Sequence, residues 1–89
     1  MMYPYIKFED ETEVSFSQII KKDETETIEV HFERPTEEGF DVARCELPSY
    51  KWIIKEGYTQ EELEKFKEFL EYNAHLLYKY AKEGGIKIA

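Results

Sequence analysis

His31 is the residue whose neighbours best equip it for chemistry. It lies near the middle of a predicted strand, with Glu29 and Glu33 two residues to either side, so that all three side chains project from one face of that strand. An imidazole beside carboxylates is typical of a general base that titrates near neutral pH, or of a metal ligand. Neighbouring residues on one strand rarely converge on a single ion, however. The alternative interpretation is a surface histidine in a charged stripe, with Arg34 or Arg44 nearby.

Cys45 is the one candidate nucleophile of the cysteine type. It would need His31 to approach it across a hairpin, and it would need a lowered thiol pKa. The apolar strand around Cys45 instead raises a thiol pKa, which favours a buried structural cysteine. A single cysteine also excludes an internal disulfide and fits a reducing compartment, so we expect a cytoplasmic protein.

The other motifs of known enzymes are missing from the sequence. There is no phosphate-cradling loop, no Gly-x-Ser-x-Gly elbow, no zinc-ligand spacing and no EF-hand loop. His75, with Glu71 four residues before it and Lys79 four after, fits a surface charge ladder on a helix. The sequence therefore favours a noncatalytic protein and predicts no cofactor and no metal.

The longest element that must position these residues is a predicted helix from Gln60 to Glu83. Thr59 and Glu62 form a capping box at its start, and Gly84-Gly85 supplies a left-handed C-cap. At about 100° per residue, its apolar side chains fall within an arc of about 160°. The members of this arc are Leu63, Phe66, Phe69, Leu70, Ala74, Leu76, Leu77, Tyr80 and Ala81.

Asn73 lies inside that apolar arc. A buried amide must find hydrogen-bond partners or cost about 1 to 3 kcal/mol. One interpretation is that Asn73 bonds to the backbone of the connection between Pro48 and Gly57 and so fixes the helix on the sheet. The other is that it lines a pocket between the two layers.

Four strands are predicted before the helix, from alternating apolar and polar residues bounded by turn residues. A bulge near Ala43-Arg44 would explain why the apolar positions of the fourth strand change from even to odd numbers. Pro35 to Gly39 is predicted as a hairpin loop, and Ser49 to Gly57 as a short helix. The strands are Tyr3 to Phe8, Val14 to Lys21, Ile28 to Glu33 and Phe40 to Leu47.

These elements predict one α+β domain over residues 1 to 89, with two layers. An antiparallel meander of three to four strands is packed on the long C-terminal helix. Eighty-nine residues with 16% aromatic content suffice for a small core. Ile86 and Ile88 alternate with Lys87, as in a further short strand, or the end of the chain frays.

Charge restricts the class of partner. The formal net charge is −8, and residues 1 to 48 hold thirteen acids against five Lys and Arg. The acids gather in predicted turns, where they keep the protein soluble and blunt strand edges, or where they form a surface for a basic partner. Direct nucleic-acid binding needs a basic footprint, so we expect none. No apolar run is long enough for a membrane span, and the N-terminus lacks the features of a signal peptide.

Several short segments resemble a bacterial family, domain of unknown function 4160. The resemblance covers roughly residues 26 to 83. It implies a β-meander followed by a helix, and gene neighbourhoods suggestive of toxin-antitoxin pairs. The family typically shows His-Val-His where this chain has Glu29-Val30-His31. The segments that carry the resemblance are Val30-His31-Phe32, Glu46-Leu47-Pro48, Gly57-Tyr58-Thr59, Glu62-Leu63, Asn73 and Leu76-Leu77.

Three functions fit these observations. The first is a noncatalytic interaction or regulatory module that binds another protein through the open face or an edge of the sheet, with homodimerisation also open. It predicts a contiguous aromatic or mixed patch outside the core, for which the candidates are Tyr3, Tyr5, Tyr50, Tyr72 and Tyr78. The second is a small hydrolase or nuclease-like toxin built around His31 with Glu29, Glu33 or Arg44. The third is an acidic mimic of nucleic acid.

Overall fold

The chain folds as an antiparallel sheet followed by one helix, and the computed structural model describes residues 2 to 85. The helix, α1, spans Gln60–Glu83, as predicted from its caps. The capping box of Thr59 and Glu62 is formed, and Gly84 adopts the left-handed conformation with φ of 80°. The strands are β1 (Met2–Lys7), β2 (Glu13–Ser17), β3 (Ile20–Lys22), β4 (Thr25–Thr36), β5 (Gly39–Leu47) and β6 (Lys51–Glu56).

The sheet is a meander in which successive strands are neighbours. Its order is β1-β2-β4-β5-β6, and β3 pairs with the first residues of β4. All pairings are antiparallel. The α+β class and the meander are confirmed, but six strands replace the predicted three to four. The fold is also the one that the family resemblance implies.

The core lies between α1 and one face of the sheet. The rings of Phe32 on β4 and Phe66 on α1 are parallel, with centroids 4.2 Å apart. Even-numbered residues of β4 and odd-numbered residues of β5 face this core, because antiparallel partners share a face. The buried strand residues are Val14, Phe16, Ile28, Val30, Phe32, Ala43, Cys45 and Leu47, and those of the helix are Leu63, Phe66, Leu70, Leu77 and Ala81.

The segment from Ser49 to Gly57 contains strand β6 (Lys51–Glu56), so the prediction of a short helix there is wrong. Trp52 pairs with Cys45 and packs its ring against Phe32. Ile53 is an extra residue in the register, because Arg44 pairs with Ile54 while Cys45 pairs with Trp52. This bulge interrupts the alternation of β6 and makes its apolar run look helical.

The predicted bulge in β5 is also misplaced. The irregularity does lie opposite Arg44 and Cys45, but the extra residue belongs to β6. Within β5 the alternation is strict, and Phe40 and Val42 are on the face of the sheet that α1 does not cover. Two apolar residues on the outer face, Phe40 and Val42, explain the change from even to odd positions without a bulge in β5.

The hairpin between β4 and β5 is tighter than predicted. Pro35 pairs with Phe40 and Thr36 with Gly39, so the turn itself consists of Glu37 and Glu38 alone. The prediction that Pro35 ends the strand is therefore wrong. The acidic turn residues at this hairpin were correctly placed in a loop.

The predicted second strand, Val14 to Lys21, is two strands with an irregularity between them. Phe16 pairs with Val30 and Ile20 with Thr27, so four steps along one chain match three along the other. The Ser17 hydroxyl accepts a hydrogen bond from the Glu29 amide (2.9 Å). The extra residue reverses the parity, and as a result Ile20 lies on the opposite face from Phe16.

We expect Glu24→Gly to stabilise the protein by about 0.5 to 1 kcal/mol. Asp23 and Glu24 form the turn between β3 and β4, and both have positive φ, 50° and 65°. Glycine tolerates that conformation without the penalty of a side chain. Urea unfolding of the variant would measure the gain. The matched control is Glu38→Gly, since Glu38 is also in a two-residue turn but is not among the positive-φ residues; equal gains at both turns would contradict the argument.

Asn73 ties the helix to the first strand rather than to the connection after Pro48. Its side-chain carbonyl accepts a hydrogen bond from the Tyr5 hydroxyl (2.7 Å), and its amide donates to the Phe69 carbonyl (2.9 Å). Asn73 is half-buried. The predicted partner segment is wrong, while the predicted role as a structural tie has geometric support.

Replacing Asn73 with leucine is expected to lower the unfolding midpoint, by about 1 kcal/mol of stability, because the Tyr5 hydroxyl loses its acceptor. Tyr5→Phe in the wild-type background should have a similar effect. In the Asn73→Leu background, Tyr5→Phe should have almost none, since the bond is already gone. Additive effects in this double-mutant cycle would show that the two groups act independently.

Candidate functional site

The face of the sheet turned away from α1 carries the residues that the sequence singled out, and we call it the open face. His31 pairs with Ser15 on β2 and with Arg44 on β5, and Arg44 pairs with Ile54 on β6. These four residues form a row across the strands. Within residues 2 to 85, α1 is the only helix, and it packs on the other face.

His31 is paired with one of its two flanking acids. Its Nε2 lies 3.2 Å from an Oε1 of Glu29, whereas Glu33 makes no ion pair in the described chain. The His31 side chain is only 13% exposed, although it lies on the open face. The neighbouring side chains therefore cover the imidazole, and the ring offers little surface to a substrate.

Cys45 lies on the opposite face of the sheet from His31. It pairs with Val30, and both are completely buried in the core. Burial raises the pKa of the Cys45 thiol to about 11, and the nearby Glu46 acts in the same direction. The combination of Cys45 as nucleophile with His31 as base is thus excluded by which face each occupies, and the buried structural cysteine is the interpretation that the geometry supports.

Arg44 is a cation without a partner. Its Nε is buried and makes no hydrogen bond, and its guanidinium forms no ion pair with any residue between 2 and 85. Buried guanidinium donors are normally satisfied, because an unpaired one loses its hydration without compensation. Arg44 is therefore the least satisfied polar group of the open face.

A row of three glutamates crosses the open face next to Arg44, and we call Glu13, Glu33 and Glu56 the acidic row. Glu13 pairs directly with Glu33, and Val42 lies between Glu33 and Glu56. No member forms an ion pair in the part of the chain described. Lys7 pairs in register with Glu13, but its ammonium bonds Glu11 at 2.9 Å. Like charges directly across a strand pair are destabilising.

A second pair of acids lies on the other side of Arg44. Glu29 pairs with Glu46 across β4 and β5. This pair is compensated, because Lys22 reaches Glu46 at 3.5 Å and the Ser49 hydroxyl donates to it at 3.1 Å. Within residues 2 to 85, Arg44 thus lies between an acidic row that forms no ion pair and a pair of acids whose Glu46 is bound by Lys22.

Apolar side chains lie among these charges. Phe40 is 64% exposed and Ile20 38% exposed, and both are on the open face by their register with Pro35 and Thr27. Ile53, at the bulge of β6, is 47% exposed. Large exposed side chains next to charges are common in protein interfaces.

The predicted aromatic or mixed patch does not consist of the candidate tyrosines. Tyr3, Tyr5, Tyr50 and Tyr78 pack against the core, and only Tyr72 of the five candidates is exposed, at 74%. The exposed apolar residues of the sheet are instead Phe40 and the isoleucines. Tyr3 and Tyr5 on β1 and Tyr78 on α1 pack at the border of the core, where sheet and helix meet.

The four site residues predicted from the sequence, Glu29, His31, Glu33 and Arg44, share the open face, but the prediction did not include Glu13 and Glu56. Glu13 was assigned to a turn, although its odd number matches Ser15 on the polar side of β2. That alternation could have placed it. Glu56 was hidden by the bulge in β6, and no local signal reveals its face.

The ligand-binding potential of the rest of the chain is limited. In the span from Met2 to Gly85, no three side chains of His, Cys, Asp and Glu are grouped so that they could hold a metal ion. Open grooves lie beside the helix, one lined by Phe8, Asp10, Glu62, Lys65 and Phe66. Among the described residues, no helix is both long enough and apolar enough to cross a membrane.

Comparison with known proteins adds no assignment. No protein-family model matches this chain, and neither a curated protein nor a solved structure matches it. The resemblance to domain of unknown function 4160 therefore stays a hypothesis on short segments. The open face is the part of the structure from which a function can be argued.

Proposed function

We propose that this protein is a noncatalytic interaction module that binds a basic segment of another protein on its open face. The observation that carries the proposal is the acidic row of Glu13, Glu33 and Glu56, three carboxylates that form no ion pair within residues 2 to 85, on a sheet face that α1 leaves uncovered. A regulatory role, as in a toxin-antitoxin-like pair, is part of the same proposal.

The acidic row works against the stability of the isolated chain. A directly opposed like-charge pair such as Glu13 and Glu33 is unfavourable by some tenths of a kcal/mol up to about 1 kcal/mol. Folding alone gives no reason to keep these two acids opposite one another. A partner that brings lysine or arginine side chains would turn this repulsion into attraction and speed the encounter.

The apolar residues of the open face support contact with a protein rather than with free cations. On the open face of β5, Phe40 and Val42 are followed by Arg44 and Glu46, and Ile54 pairs with Arg44. A protein interface combines such apolar contacts with charge complementarity. The acids select a partner with positive charge, and the apolar side chains supply surface that this partner can bury.

Glu33→Gln should stabilise the free protein and weaken partner binding at the same time. Removal of one like charge raises the free energy of unfolding by about 0.5 kcal/mol. The same change removes an acid that faces the partner. The measurements are urea unfolding, and capture from the native cell extract at low and high salt, with carboxylate-to-amine cross-linking to locate the contact on the chain.

Glu38→Gln is the matched control, since Glu38 lies in the β4–β5 turn and loses the same charge. It should leave capture unchanged. A partner that cross-links to the carboxylates of α1, or that binds Glu33→Gln as well as wild type, would contradict the proposal. His31→Ala should leave capture intact, whereas a hydrolase built around His31 would lose its activity.

A further inference from the structure

The unpaired guanidinium of Arg44 lies among acids that do not reach it. On the same face of β5, the neighbours of Arg44 are Val42 and Glu46. On β4, its partner in the register is His31. Glu29 and Glu33 lie two residues to either side of His31 on β4. Neither of these carboxylates, nor that of Glu46, is within ion-pair distance of Arg44. Arg44 as a whole is half-buried, and Nε is its one fully buried nitrogen without a partner, so the terminal Nη groups are the part of the cation that a ligand can reach.

The charges of the open face lie in rows across the strands. The acidic row is the first, and the row that contains Arg44 is the next. The row after it holds Glu29 and Glu46 and is balanced, because Glu46 pairs in register with Lys51 and its carboxylate is bound by Lys22. Successive rows are two residues apart along β4, which is about 6.7 Å. The face therefore presents an excess of negative charge one row away from the guanidinium of Arg44.

From the acidic row and Arg44 we infer that the partner segment is an amphipathic helix with a cation four residues from a carboxylate, and that Arg44 binds the carboxylate. The inference rests on the proposed function, because it describes the segment that occupies the open face. Side chains four residues apart on a helix are about 6 Å apart along its axis. A segment with Lys or Arg four residues before or after an Asp or Glu matches the spacing between the acidic row and Arg44.

A helix is the occupant that the fold itself favours. A sheet face is buried in known folds by a helix or a second sheet, and α1 already covers the other face of this sheet in that manner. The Arg44 fork can bind a carboxylate through two hydrogen bonds, which a single ammonium cannot do. Arg44 would thus select one segment among many basic ones, while the acidic row supplies attraction.

The test is selection of random 16-residue peptides displayed on phage against the full chain. Wild-type protein should enrich peptides with an acid that has Lys or Arg four residues before or after it. Arg44→Gln should lose the enrichment of the acid and keep that of the bases. A synthetic peptide from the wild-type selection should bind Arg44→Gln about tenfold more weakly, as expected for a lost charge-assisted bond.

The controls separate this inference from the proposed function. Glu33→Gln should reduce the enrichment of bases and retain that of the acid. Arg44→Lys should give intermediate binding, and it replaces Arg44→Gln if the latter does not fold by circular dichroism. Enrichment of basic peptides without an acidic position on wild type overturns the role of Arg44 and leaves the proposed function standing. Absence of any enrichment of bases overturns both.

Discussion

Replacement of Arg34 by methionine is expected to lower the free energy of unfolding by about 2 to 3 kcal/mol. Its guanidinium donates to Asp41 (2.8 and 3.0 Å), to Asp10 (2.9 Å) and to Glu62 (2.7 Å), and lies 4.7 Å from the centre of the Tyr58 ring. These contacts join the β1–β2 loop, β4, β5 and the first turn of α1. Without the cation, three carboxylates would remain close together with no counterion. The expected effect lies between about 0 to 1 kcal/mol for an exposed pair and about 3 to 5 kcal/mol for a buried one.

This loss of stability should depend on pH. Hydrogen bonds from Arg34 and from the Thr59 backbone lower the pKa of Glu62. Burial tends to raise the pKa of Asp10, but hydrogen bonds from Thr12 and Arg34 outweigh it, and the net direction is down. Carboxyls with a lowered folded-state pKa stabilise the protein above their unfolded values of about 4, and that stability is lost as the pH falls through the folded values.

The difference between wild type and Arg34→Met should therefore be largest at neutral pH and should shrink below about pH 4. Urea unfolding at several pH values measures it. Lys65→Met is the matched control, because Lys65 makes only an exposed pair with Glu61 at 3.8 Å and should change stability by less than about 0.5 kcal/mol. Similar losses in both variants would show that the cluster around Arg34 is no more than surface charge.

Gly57→Ala is the second substitution with a large expected effect, a loss of about 3 kcal/mol or more. Gly57 joins β6 to α1 and has φ of 88°, a conformation that costs alanine about 1 to 2 kcal/mol. A methyl group on Gly57 would also overlap the carboxylate of Asp41. Because Asp41 binds Arg34, its displacement would disturb that cluster as well.

Gly84→Ala separates the two causes. Gly84 has a similar φ of 80°, and a methyl group there would meet no atom within 4 Å of the described structure. The loss of stability in Gly84→Ala should therefore reflect only the cost of the positive φ for alanine. Asp41→Ala should cost less in the Gly57→Ala background than in wild type, since it relieves the overlap. Equal destabilisation by Gly57→Ala and Gly84→Ala in urea unfolding would contradict a steric role for Asp41.

The elements that local signals define were predicted best. The helix from Gln60 to Glu83 agrees with its predicted bounds because Thr59, Glu62 and Gly84 act within a few residues of its ends. The central strand around His31 was found from its strict alternation, which also placed His31 on the correct side of the sheet.

The features that were missed depend on partners distant in sequence. β6 reads as a helix because the extra residue Ile53 breaks its alternation, and only pairing with β5 reveals the strand. The partners of Arg34 are 7, 24 and 28 residues away, and Tyr5 is 68 residues from Asn73. The hydrophobic periodicity of one segment does not reveal contacts with residues so far away in the sequence. The acidic row likewise exists only once three strands are aligned.

The joint between Gly57, Asp41 and Arg34 has a consequence for how relatives of this protein can be recognised. Arg34 holds Asp41, Asp41 leaves no room for a side chain at position 57, and Glu62 both caps the helix and binds Arg34. These four residues should change together or not at all during divergence, while the exposed acids around them drift. An arginine, an aspartate, a glycine and a glutamate at spacings of 7, 16 and 5 residues would mark common descent after overall identity has faded.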